Sequence, residues 1–108
     1  MGETMMENRE VSENKYILKL KKVIIDFLKN DNVKIVLFGS RARGDNYISS
    51  DVDIGIIPYG KFDGKKITLL KENVENLNIP YKVEIVDFSG VSESFRKESL
   101  KEAVVWKD

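Results

Sequence analysis

Apolar and polar positions fall into blocks of two different periods along the chain. From Ser12, a residue suited to cap a helix, the apolar positions Tyr16, Ile17, Leu20, Val23, Ile24, Phe27 and Leu28 recur at helical spacing with lysines between them. This predicts an amphipathic helix that ends at Asn30-Asp31-Asn32. Val33 to Phe38 is a short, β-branched apolar run bounded by turn residues, the pattern of a buried strand. After Gly39-Ser40 a polar stretch leads to a second such run, Val52 to Ile57, closed by Pro58 and Gly60. Ile67, Leu70, Val74 and Leu77 place a helix within 62–77, and Pro80 closes the turn after it. Tyr81 to Phe88 reads as a third strand. Ser92 or Ser94 is suited to cap a last helix running through Ala103, with Val104, Val105 and Trp106 packing at its end. Strands that alternate with helices indicate an α/β sandwich around a small sheet. Residues 1–11 read as a flexible N-terminal arm, and residues 12–108 as one domain.

Composition narrows the chemistry. The chain has 108 residues, 42% of them hydrophobic, enough for a packed core in a single domain. Eighteen basic residues balance eighteen acidic ones. Without a basic excess, long nucleic acid is not the expected partner, since phosphate neutralisation supplies much of that affinity; a single nucleotide is not excluded. Histidine and cysteine are both absent. That removes disulfides, thiol nucleophiles, imidazole bases and thiolate metal sites. Catalysis must then run on carboxylates, hydroxyls, Lys or Arg, and oxygen-bound cations such as Mg²⁺. No apolar run approaches the roughly 20 residues of a membrane span, and the polar N-terminus does not read as a signal peptide. The expected location is the cytoplasm.

The informative segment is GSRARGDNYISSDVD, Gly39 to Asp53. Gly39-Ser40 closes the first strand, where a small residue lets backbone N–H groups and a hydroxyl approach a phosphate. Asp51 and Asp53 stand two apart at the start of the second strand, so their carboxylates share a face about 7 Å apart at Cα. Like charges so placed repel unless a cation lies between them, and a divalent ion with oxygen ligands fits. Arg41 and Arg43 are two of only four arginines in the chain, and arginine suits multi-point phosphate recognition. Each piece alone is ordinary turn or surface chemistry; their conjunction is what points to a nucleotide. The Gly-x4-Gly-Lys-Ser/Thr pattern of a P-loop is absent, and the acidic spacing is not that of an EF-hand.

GSRARGDNYISSDVDIGI closely resembles the signature of the minimal nucleotidyltransferases of the DNA polymerase β-like superfamily: Gly-Ser, ten residues, Asp-x-Asp. The match lies at Gly39, Ser40, Arg41, Arg43, Gly44, Ser50, Asp51 and Asp53, and the order of elements around it covers almost the whole chain. The resemblance implies a small mixed β-sheet with helices packed mainly on one face. It implies nucleotidyl transfer from ATP with Mg²⁺, two ions in the full arrangement, held by Asp51, Asp53 and a third carboxylate on a later strand. It places Gly39, Ser40, Arg41 and Arg43 at the nucleotide. Stand-alone members of this size resemble antitoxins that adenylylate a tyrosine of a HEPN-domain toxin, which makes such a toxin the expected partner. The alternative is a binding module that neutralises its toxin by contact, with a weak or inactive site. The oligomeric state is left open.

At the third carboxylate the chain departs from the family's pattern, which has Asp where this sequence reads Val83-Glu84-Ile85-Val86-Asp87. Side-chain alternation discriminates. Val52, Ile54 and Ile56 share the apolar face of the second strand, Asp51 and Asp53 the other; Val83 and Ile85 share a face with Asp87, and Lys82 with Glu84. If the helices cover one face, Glu84 joins the two aspartates as catalytic and metal-binding residue and Asp87 does not. Tyr47 and Tyr59 are candidates to stack on adenine, though half-buried loop tyrosines are the commoner outcome. Lys61, Lys65 and Lys66 read as a solvated helix start and Trp106 as a packing anchor.

Overall fold

The computed structural model describes residues 15–43 and 51–108. The N-terminal arm, Ser12 and Tyr47 lie outside the described residues. The elements run in the order α1 (Lys15–Phe27), β1 (Val33–Phe38), a one-turn helix α2 (Ser40–Arg43), β2 (Val52–Pro58), α3 (Lys65–Glu75) and β3 (Val83–Asp87). A 3₁₀ turn (Phe88–Gly90), α4 (Glu93–Leu100) and β4 (Val104–Lys107) follow. The four strands form one mixed sheet in the order β3-β2-β1-β4. β1 pairs antiparallel with both β2 and β4, whereas β2 and β3 run parallel.

Period decides which side of the sheet each residue fills. Ile17, Leu20, Ile24 and Leu28 of the α1 segment and Ile67, Leu70 and Val74 of α3 bury against Ile35, Leu37, Ile54, Ile56 and Ile85. These strand positions alternate, so α1 and α3 pack on one face. The residues between them, Val36, Phe38 and Ile57, turn to the other face and are covered by Phe88. Phe95 of α4 completes that cover, its ring edge-on to Phe38 at 6.1 Å and to Phe88 at 5.9 Å between centroids. Ser92 caps α4 by accepting a hydrogen bond from the Phe95 N–H at 3.1 Å. Burial on both faces is why β1, apart from Lys34, reads as an apolar run rather than an alternating one.

Val104 to Trp106 do not merely pack at a helix end. They form β4, a fourth strand at the β1 edge, with Leu37 opposite Val104 and Val36 opposite Val105. Trp106 buries its indole in the α1–α3 core, and Lys107 Nζ fastens the strand by donating to the carbonyls of Asp31 and Val33 at 3.1 and 3.0 Å. The last helix therefore stops at Leu100 rather than Ala103.

Candidate active site

β1 ends at Phe38, and the chain turns through Gly39 with φ +81°, a left-handed conformation that favours glycine. There is a second reason for glycine. A Cβ at this position would collide with the Asp53 carboxylate, so the backbone of the turn runs directly against that side chain. α2 begins at the next residue. The side chains of Ser40 and Arg43 lie outside what the structure describes.

Register brings the acids together. Phe38 stands opposite Asp53 across β1 and β2, and Asp53 opposite Glu84 across β2 and β3. Residues directly paired in a sheet share a face, so Phe38, Asp53 and Glu84 form one row across three strands. Asp51, two residues before Asp53, falls on the same side by alternation. This is the face that α1 and α3 leave uncovered. Asp51 and Glu84 are exposed and Asp53 is half-buried. Burial, and then the negative charges of Asp51 and Glu84, hold the Asp53 carboxyl above the usual carboxylate range. The corner is thus an acidic cluster that a cation would relieve.

Asp87 is placed elsewhere. It stands opposite Ile56, on the alternate side of β3 from Glu84. Its carboxylate accepts from the Ser89 N–H at 2.9 Å and the Ser89 hydroxyl at 2.7 Å, starting the 3₁₀ turn. Arg41 is turned to the helix-covered side. Its guanidinium lies 4.2 Å from the ring centroid of Tyr81, whose edge meets Tyr16 at 6.2 Å, and its buried Nε has no hydrogen-bond partner among the described residues. Tyr81 was not singled out by sequence; an aromatic at a strand start is its only signal.

Tyr59 follows the opposite end of β2 from Asp53, about 20 Å away at strand rise. There it is 52% exposed and donates its hydroxyl to Asp108, which pushes the phenol pKa up. It does not stack at the site. Lys66 binds both carboxylate oxygens of Asp31 at 2.9 Å, and Lys61 and Lys65 lie at that same far end. Two depressions flank the acidic row. One, of about 320 Å³, lies beside Gly39 between Phe38 and Phe95. The other, of about 450 Å³, runs along β3 and α3 and is bordered by Glu84.

A divalent ion suits the donor set, which is hard carboxylate oxygen on one face of a sheet corner. Among the described residues, however, no three acidic side chains converge as a preassembled ligand cage. Mg²⁺ commonly binds by one or two carboxylates with nucleotide phosphates completing the shell. Among the described residues, no helix is long and apolar enough to cross a membrane.

Residues 21–107 match the model of the family described as polymerase beta, nucleotidyltransferase. The "Probable protein adenylyltransferase MntA" of Haemophilus influenzae is 33% identical over 88 residues, spanning 82% of this chain and 76% of that protein. Solved structures share the fold. A toxin–antitoxin complex with AMP-PNP superposes with a TM-score of 0.62 at 21% identity, covering 80% of this chain and 71% of that one. A tri-AMPylated HEPN toxin of Shewanella oneidensis with its MNT antitoxin gives 0.58 at 18% identity, covering 82% and 70%.

Proposed function

The chain belongs to the polymerase beta nucleotidyltransferase family, and from that premise we propose that it moves AMP from ATP to a tyrosine hydroxyl of a HEPN-domain toxin, acting as that toxin's antitoxin. The observation that carries this is the row of Asp53 and Glu84 at the corner of the sheet face that α1 and α3 do not cover, with the Gly39 turn pressed against Asp53. It supports the reading because phosphoryl-type chemistry calls for a place for phosphates, carboxylates for a cation, and a base beside them. The adenylyltransferase name of the Haemophilus influenzae relative and the AMPylated toxin in the Shewanella oneidensis complex support the choice of AMP and of a HEPN acceptor.

Asp51 and Asp53 would hold Mg²⁺, with Glu84 at its border. When bound, Mg²⁺ neutralises triphosphate charge that would otherwise face three carboxylates. The backbone N–H groups of the Gly39-Ser40 turn and the Ser40 hydroxyl hydrogen-bond the β- and γ-phosphates. Glu84 accepts the proton of the acceptor hydroxyl. The oxygen's electron pair forms a bond to the α-phosphorus as the bond to the bridging oxygen breaks, and pyrophosphate leaves with that electron pair. Arg41, stacked on Tyr81, contributes by anchoring α2 behind the turn.

The test is to incubate the chain, its HEPN partner and Mg²⁺ with ATP labelled either at the α- or at the γ-phosphate. Label from the α-position should appear on the partner and vanish in EDTA. Transfer of the γ-label instead would make the enzyme a kinase and refute the reading.

A further inference from the structure

In a displacement at phosphorus the attacking and leaving oxygens lie roughly in line, on opposite sides of the reacting atom. The sheet order gives those two sides a direction. Gly39 follows β1, Asp53 lies on β2 in the middle, and Glu84 lies on β3. If pyrophosphate departs at the Gly39-Ser40 turn, the acceptor oxygen must arrive across β3. Among the described residues β3 is an edge of the sheet. The groove of about 450 Å³ runs between that edge and α3 on the helix-covered side, lined by Val74, Leu77, Ile79, Val83 and Ile85, and reaches Glu84 at the strand edge. That volume falls within the roughly 300–1,000 Å³ of ligand sites. An edge strand also offers backbone N–H and C=O groups to an extended segment laid beside it. The depression between Phe38 and Phe95 is on the Gly39 side, the wrong side for an attacking oxygen.

We propose that the groove along the edge of β3 is the acceptor site: it seats an extended, partly aliphatic segment of the acceptor protein and delivers that segment's hydroxyl to Glu84. The bond changes are those of the transfer itself, with the acceptor proton going to Glu84 and pyrophosphate leaving on the far side. The inference rests on the transferase reading.

The absence of cysteine allows a clean test. Three variants each carry one thiol: Glu75→Cys on the groove, Glu98→Cys beside the Phe38–Phe95 depression, and Lys22→Cys on α1. Each is assayed before and after coupling to a bulky maleimide, with α-labelled ATP and the HEPN partner. Labelling at position 75 should raise KM for the acceptor by roughly tenfold or more while KM for ATP stays within about twofold. Labelling at position 22 should change neither, and saturating acceptor should slow the maleimide reaction at 75 but not at 22. An unchanged acceptor KM after labelling at 75, or a rise seen only from position 98, overturns the inference while wild-type transfer stands. Wild-type protein that transfers no α-label at all removes the transferase reading, and this inference falls with it.

Discussion

At Gly39 two requirements coincide on one residue: a left-handed backbone, and space for the Asp53 carboxylate where a Cβ would sit. Gly39→Ala should therefore cost about 1–2 kcal/mol from the backbone alone. It should also displace Asp53, so transfer should fall further than the stability loss explains; urea unfolding beside label transfer checks both. Asp53 carries the opposite balance of stability and function. Its folded pKa lies above its unfolded value because of burial and its two acidic neighbours. The native state then binds more protons than the unfolded chain between those two values. The stability linked to Asp53 is thus full below the ordinary carboxyl pKa and is lost as pH rises through the raised one. Asp53→Asn should flatten that slope and raise the melting temperature of the metal-free protein near neutral pH, while abolishing transfer. A variant that melts lower than wild type at neutral pH would make Asp53 a structural acid. Alternation, given helices on one face of the sheet, predicts Asp51, Asp53 and Glu84 on a common face, and strand register puts Asp53 and Glu84 side by side. The contact between Gly39 and Asp53 was not legible, because it joins residues on different strands through the backbone of a turn.

Among the elements, the two long helices and the first three strands follow from period, since α1, α3 and β1 to β3 each place apolar residues in the core at regular spacing. β4 does not, for a physical reason. It has four residues, exposes Val104 and Val105, and is held at an edge by Trp106, Lys107 and its ladder to β1. α2 is equally silent, one turn with Ala42 as its single apolar residue, and Tyr81, on which Arg41 stacks, lies forty positions later. The cover of the second face was hidden too, because Phe88 and Phe95 sit in a turn and a largely polar helix. Their unequal burial predicts unequal costs. Phe88, 1% exposed beneath Gly55 and Phe38, should lose about 3–5 kcal/mol on Phe88→Ala. Phe95, 43% exposed, contributes chiefly its ring contacts, and Phe95→Ala should cost about 0.5–1.5 kcal/mol. Denaturant unfolding of both variants checks the order; a reversal would mean that α4, rather than the 3₁₀ turn, closes this face.

Over the whole molecule, one sheet separates two tasks. The face under α1 and α3 holds the fold together. The corner of the other face, which α4 leaves open, gathers the charges that folding alone would avoid. In a chain with neither histidine nor cysteine a carboxylate is the natural proton acceptor, and the proposed base is Glu84, whereas Asp87 Oδ1 already accepts both bonds from Ser89. The most direct measurement compares α-labelled AMP transfer to the HEPN partner, and neutralisation of that partner, in Glu84→Gln and Asp87→Asn. Glu84→Gln should slow transfer by about 10²–10⁴ and lose neutralisation with it, while Asp87→Asn transfers at close to the wild-type rate. Transfer lost in Asp87→Asn and kept in Glu84→Gln, or neutralisation intact while transfer is gone, would contradict the account.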